Sequence, residues 1–179
     1  MTRRPAAASV RKRVAVATAV AVLAAGTFAV GAGVAGADSR GASGKSPGKT
    51  ATKAQVLGLF DQWNAALRTG DAHKVADLYA KDAVLLPTVS NHVRTDRAEI
   101  VDYFEHFLKN KPVGTKVESV VNVLDRNTAI DTGVYEFALT DHETGAKSTV
   151  KARYTYAYEK QPDGTWLIVN HHSSKMPEG

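Results

Sequence analysis

Two adjacent histidines, His171 and His172, close an apolar run that passes from Trp166 through Leu167, Ile168, Val169 and Asn170. Imidazole is the side chain whose ordinary pKa lies nearest neutrality, so either ring could move a proton to or from a ligand. His172 and His171 are therefore the candidates for general acid–base catalysis. Metal binding is not expected of them. Neighbours on a strand point to opposite faces, and no His-x-x-x-His pair or carboxylate cluster supplies further ligands. Two histidines merely hydrogen-bonded at a strand end explain the same pattern.

Arg153 and Thr155 stand two residues apart, hence on one face of a strand. A guanidinium so placed can hold a ligand carboxylate through two parallel hydrogen bonds. A solvent-facing side shared with Lys151 and Glu159 accounts for it equally well. Asn91, His92 and Arg94 follow Pro87 in a loop that could deliver polar groups to a pocket mouth. With Asn170 beside the histidines, the ligand-binding candidates are Arg153, Thr155, Asn91, Arg94 and Asn170. Asp131 or Asp141 could partner a histidine, but the sequence locates neither. Tyr79 and Asp82 read as packing and capping at a helix end, and Trp63 and Trp166 as core. No nucleophile elbow or phosphate loop occurs, and no cofactor is expected.

Positioning these groups falls to elements that change character midway. Thr52-Lys53-Ala54-Gln55 is a capping box, and Val56, Leu59, Phe60, Trp63, Ala66 and Leu67 then recur at helical spacing. Gly70 ends that helix. Asp71 caps a shorter one that turns Val75, Leu78 and Tyr79 inward. Ala83-Val84-Leu85-Leu86 reads as a short strand stopped by Pro87. Asp96-Arg97-Ala98-Glu99 opens a third helix with Ile100, Tyr103, Phe104, Phe107 and Leu108 on one face, ended by Pro112 and Gly114. Beyond Thr115 the period is two. Lys116–Leu124, Thr128–Thr140, Lys147–Lys160 and Thr165–Ser174 read as strands joined by short turns, hence as an antiparallel meander. Val150, Ala152, Tyr154, Tyr156 and Tyr158 share one face. In the last strand, Trp166, Ile168, Asn170 and His172 should alternate with Leu167, Val169, His171 and Ser173. Both faces begin apolar, so helices should cover one and another subunit the other. The expected fold is α+β, a cone of helices packed on a curved antiparallel sheet.

The first residues read differently. Arg3, Arg4, Arg11, Lys12 and Arg13 precede an uncharged stretch from Val14 to Ala37 that ends Ala35-Gly36-Ala37. Residues 1–37 are expected to be a secretory signal, and the Gly-, Ser- and Lys-rich residues 38–50 a disordered linker. Retention of the signal would instead leave a membrane anchor. Without those five basic residues, 18 remain against 18 acidic ones, so the nominal charge of +5 gives no grip on nucleic acid. The chain has no cysteine, so a secreted domain over 51–177 would hold together without disulfides.

The order helix–helix–strand–helix–meander resembles the nuclear-transport-factor-2-like (SnoaL-like) superfamily. Asp163-Gly164-Thr165-Trp166-Leu167-Ile168-Val169-Asn170-His171-His172-Ser173-Ser174, with Met176-Pro177, resembles the association domain of calcium/calmodulin-dependent protein kinase II. It is also similar to stand-alone bacterial relatives, including the SgcJ/EcaC family. Leu85-Leu86-Pro87-Thr88-Val89-Ser90-Asn91 through Arg94 and Tyr103-Phe104-Glu105-His106-Phe107-Leu108 carry the same likeness, which spans Val56 to Pro177. It implies a homodimer or larger ring built by the sheet face, and a deep polar pocket. It implies no kinase, since the Gly-rich, Val-Ala-Ile-Lys, His-Arg-Asp and Asp-Phe-Gly segments are missing. Ser173 stands where the kinase association domain has an arginine, a departure inside the pocket motif. Three functions fit: a binder of a small polar or carboxylate-bearing molecule, a small-molecule enzyme (isomerase, dehydratase or oxidoreductase) using a pocket histidine, and a protein assembly module.

Overall fold

The computed structural model describes residues 50–88 and 90–177. The expected signal, residues 1–37, and all but Thr50 of the expected linker lie outside them. Helix α1 (Lys53–Arg68) opens with the capping box, the Thr52 hydroxyl accepting from the Gln55 N–H and the Gln55 side chain accepting from the Thr52 N–H. Its apolar stripe buries Val56, Phe60, Trp63 and Leu67. Gly70, with φ +69, ends it. Asp71 caps α2 (Ala72–Ala76) and Asp96 caps α3 (Arg97–Phe107), which continues as a short 3-10 turn, Leu108–Asn110.

The strands are β1 (Tyr79–Leu86), β2 (Val113–Val123), β3 (Thr128–Thr140), β4 (Lys147–Lys160) and β5 (Trp166–Lys175). They form one sheet in the order β1-β5-β4-β3-β2. The meander β2 to β5 is antiparallel, as its short turns require, while β1 adds to the edge parallel to β5. Helices on one face and the curved sheet behind them make the cone.

Two expectations change here. The second helix is a single turn, and Tyr79 and Asp82 belong to β1, because Tyr79 pairs with Ile168 across the parallel edge. Gly114 does not end α3; it lies in β2, where Asn64 of α1 both accepts from its N–H (2.9 Å) and donates to its carbonyl (2.7 Å). A Cβ at Gly114 would come within 2.9 Å of the Phe137 ring. Sheet curvature has a second glycine at its centre. The register of β2 shifts between Lys116 and Glu118, which pair with Tyr135 and Val134; Gly133 pairs with the next residue, Ser119, and a Cβ on Gly133 would stand 1.9 Å from the Glu118 carbonyl oxygen.

The core between sheet and helices is largely aromatic. Phe60, Trp63 and Phe104 from the helices meet Tyr135, Phe137, Tyr154, Tyr156 and Tyr158 from β3 and β4, all buried. The Tyr135 and Tyr154 rings stack at 4.9 Å, and Trp63 meets Phe104, Phe137 and Tyr156 edge to face. Each such side chain contributes about 2–3 kcal/mol on burial, and the offset and edge geometries add to it.

Candidate functional site

One interruption in β5 decides which polar groups enter the core. Ala157 of β4 pairs with Asn170, but the next residue, Tyr158, pairs with Ile168, so Val169 is an unpaired bulge. A bulge reverses the alternation beyond it. Ile168 therefore shares the inner face with His171 and Ser173, and Asn170 and His172 turn outward. The strict alternation expected for β5 fails at this one residue. His171 is 3% exposed, and His172 is exposed.

The inner groups surround a narrow, partly enclosed cavity between α1, α3 and the sheet. Its volume is about 60 Å³, room for a few waters or a very small molecule. Rings of Trp63, Phe104, Phe107, Tyr135 and Phe137 form much of its wall. Its polar groups are few: His171, Ser173, Thr88 and the hydroxyls of Tyr103 and Tyr135. No acidic side chain, lysine or arginine lines it among the described residues.

These groups are linked. The Trp63 Nε1–H donates to Tyr79 Oη at 3.0 Å, and Tyr79 Oη lies 2.9 Å from His171 Nδ1. The His171 ring stacks on Tyr156 at 4.1 Å. Tyr135 donates to Ser173 Oγ, which is in turn bonded to the Thr88 hydroxyl. Burial, with a smaller contribution from the neighbouring His172, holds the His171 pKa down to about 3, so the ring is neutral. Burial pushes the Tyr135 hydroxyl up to about 12 and raises Tyr79 and Tyr103 as well. The result is an uncharged, poorly solvated chamber.

Arg94 lies beside this chamber. Its backbone exchanges two hydrogen bonds with Leu85, both at 2.9 Å. Its side chain forms a 2.6 Å ion pair with Asp102 and faces the Tyr103 ring. Arg94, Ser90, His106 and Asn110 border a shallow basin that shares Tyr103 and Phe107 with the cavity. Asn91 is exposed in the loop before it.

Arg153, Thr155, Asn170 and His172 are brought together, but on the outer face of the sheet. Thr155 pairs with His172, Ala157 with Asn170, and Arg153 with Ser174. The pleat points all of them away from the cavity. Asp131 faces inward, accepting from the Tyr154 hydroxyl at 3.2 Å, and does not line the cavity. Asp141 is exposed and caps its own turn by accepting from the Glu143 and Thr144 N–H groups. Among the described residues no three metal-ligating side chains converge. Sequence reasoning missed Tyr79, Tyr135, Thr88 and Ser173 as site residues. The inward parity of β3 could have found Tyr135; the others required the β1–β5 pairing and the bulge.

The family model described as calcium/calmodulin dependent protein kinase II association domain matches residues 52–177. A crystal structure from Xanthomonas campestris, described as such an association domain, is 59% identical over 72% of this chain and 91% of its own, with a TM-score of 0.69. A nuclear transport factor 2-like superfamily protein from Salmonella enterica serovar Typhimurium is 14% identical over 70% and 91% of the two chains, TM-score 0.62. A ketosteroid isomerase-like protein from Erwinia carotovora atroseptica is 16% identical over 70% and 96%, TM-score 0.59. The last two show the fold alone, and it is the cone expected from the element order. No curated protein sequence matches the chain.

Proposed function

Since the chain belongs to the calcium/calmodulin dependent protein kinase II association domain family, we propose that it is an exported, self-associating cone-fold protein that holds a small, largely apolar molecule in its cavity. The carrying observation is the cavity itself, a chamber walled by aromatic rings with a few hydrogen-bonding groups and no charge in its lining. Chambers of this kind bind by shape and apolar burial, with the polar groups setting orientation. A carboxylate-bearing ligand is disfavoured inside, because no cation there would repay its desolvation. Catalysis by a histidine–carboxylate pair finds no support either, since Asp131 and Asp141 both lie outside the lining.

Self-association falls to the outer sheet face. Its cross-strand rows run Val120–Thr132–Thr155–His172, Asn122–Ile130–Ala157–Asn170 and Glu118–Val134–Arg153–Ser174. This surface mixes apolar and small hydrogen-bonding side chains with few charges, the composition of an interface core. The N-terminal 37 residues would direct export.

Native mass spectrometry of the protein recovered from the exporting cell tests the reading. A dimer or ring whose subunits lack the first 37 residues and carry a bound small molecule is expected. A full-length monomer with no bound mass would overturn it.

A further inference from the structure

Cross-strand rows lay out the outer face of the sheet, and the two middle rows carry no acid, lysine or arginine. One runs Val120–Thr132–Thr155–His172–Leu86, and the next runs Asn122–Ile130–Ala157–Asn170–Val84. Charges of both signs flank them. Glu118 and Arg153 share the row on one side, with Glu136 and Lys151 beyond, and Glu159 stands on the other side. An uncharged centre inside a rim of mixed sign suits a surface that packs on its own copy, since two-fold symmetry then buries no charge at the centre.

His172 is the one titratable side chain in those two rows, and it is exposed. The bulge at Val169 is what sets it on this face. Its surroundings offer a cation no partner. Thr155 of β4 and Leu86 of β1 flank it, and His171, next in the chain, is neutral on the opposite face. Arg153, one row along β4, has the same sign as an imidazolium. Glu118 lies three strands across, and Asp82 and Glu159 lie four residues along β1 and β4 from its neighbours, all about 13–14 Å away. Glu136 is farther. Sheet-on-sheet packing along or across the strands sets His172 against Val120, Thr132, Asn170 or His172 of the second copy, none of them an acid. A neutral imidazole suits each of these neighbours. An imidazolium would lose water there with no counter-charge to repay it.

We infer that His172 is a proton-operated latch on self-association: copies of the chain pack while the ring is neutral and part as it takes up a proton. This rests on the self-association reading above and names its regulation. The separated subunit binds the proton more tightly than the assembly, so acid favours separation.

The test follows the mass of the full chain by analytical ultracentrifugation from pH 8 to pH 5.5, for the wild type and His172→Gln. The wild-type dissociation constant should rise about tenfold or more over that interval, with the far-ultraviolet spectrum unchanged. His172→Gln, which cannot charge, should stay assembled throughout. Equal acid dissociation of both proteins, or a wild type equally assembled at both pH values, overturns the latch and leaves self-association standing. A wild-type monomer at every pH overturns both readings. Where Gln at this position itself weakens the assembly, dilution calorimetry of the wild type in two buffers of different ionisation enthalpy decides. Proton uptake on dissociation near pH 6 is expected, and none overturns the inference.

Discussion

Tyr79 Oη lies 2.9 Å from His171 Nδ1, although the two residues are 92 positions apart. They meet because β1 runs parallel to β5 at the sheet edge, with Tyr79 opposite Ile168 and Leu85 opposite His171. Trp63 of α1 completes the chain from the other side. One phenol therefore ties the first helix, the edge strand and the last strand together.

Tyr79→Phe keeps the ring and removes that tie. The Trp63 indole N–H and His171 Nδ1 lose their shared partner inside the core, and each such group costs about 1–3 kcal/mol. Urea unfolding should show a loss of about 2–4 kcal/mol with an unchanged denaturant slope. A loss under 0.5 kcal/mol would mean that water replaces the phenol.

Acid should destabilise the protein through His171. Its folded pKa of about 3 lies below the ordinary imidazole value of 6.5, so the unfolded state binds the proton first. The contribution of neutral His171 is fully present above 6.5 and is lost as pH falls from there toward 3. By pH 5 the loss should reach about 2 kcal/mol. Comparing wild type with His171→Phe across pH 5–8 isolates it, because carboxylate contributions common to both cancel. Parallel profiles would refute the buried neutral ring.

Asp131 should show the opposite sign. Burial raises its pKa, while the Tyr154 hydroxyl bond, the charge of Lys116 and Ser119 partly offset the rise. A raised carboxyl contributes most below its unfolded value near 3.8 and costs stability as pH rises through its folded value. Asp131→Asn keeps an acceptor for Tyr154 and should be more stable than the wild type at pH 8, with the gain vanishing below pH 4. A destabilised variant at pH 8 would indicate that the charge has a partner.

Gly133→Ala should be among the most damaging single-methyl additions. The new Cβ would meet the Glu118 carbonyl oxygen at 1.9 Å, a backbone atom that cannot swing aside. Separation of β2 from β3 should cost about 3 kcal/mol or more. Thermal melting would register this as a large fall, and an unchanged midpoint would show that the sheet flexes freely at its bulge.

Thr155→Arg addresses assembly. Thr155 sits mid-row on the outer face, beside Thr132 and His172. A bulky charge there leaves the aromatic core untouched and should convert the oligomer to monomers with the same far-ultraviolet spectrum. Light scattering after size exclusion reads the outcome. An oligomer of unchanged mass would move the interface elsewhere.

The sequence by itself determined what local physics controls. Capping boxes and apolar spacing placed α1 and α3, and a period of two placed β3 and β4 at their ends, because caps and periodicity act over a few neighbouring residues. The likeness of the closing segment identified the family and the cone. Tertiary structure decided the site. Tyr79 reads as the end of a helix until a strand 89 residues away pairs with it, and no local signal encodes a parallel edge. Arg153, Thr155, Asn170 and His172 were gathered, as their two-residue spacing implies, but which face looked into the cone depended on Val169. A bulge arises from register against a partner strand, and register is a property of two strands at once. That one unpaired residue turns His171 and Ser173 inward and His172 outward, and so selects the histidine that meets the cavity.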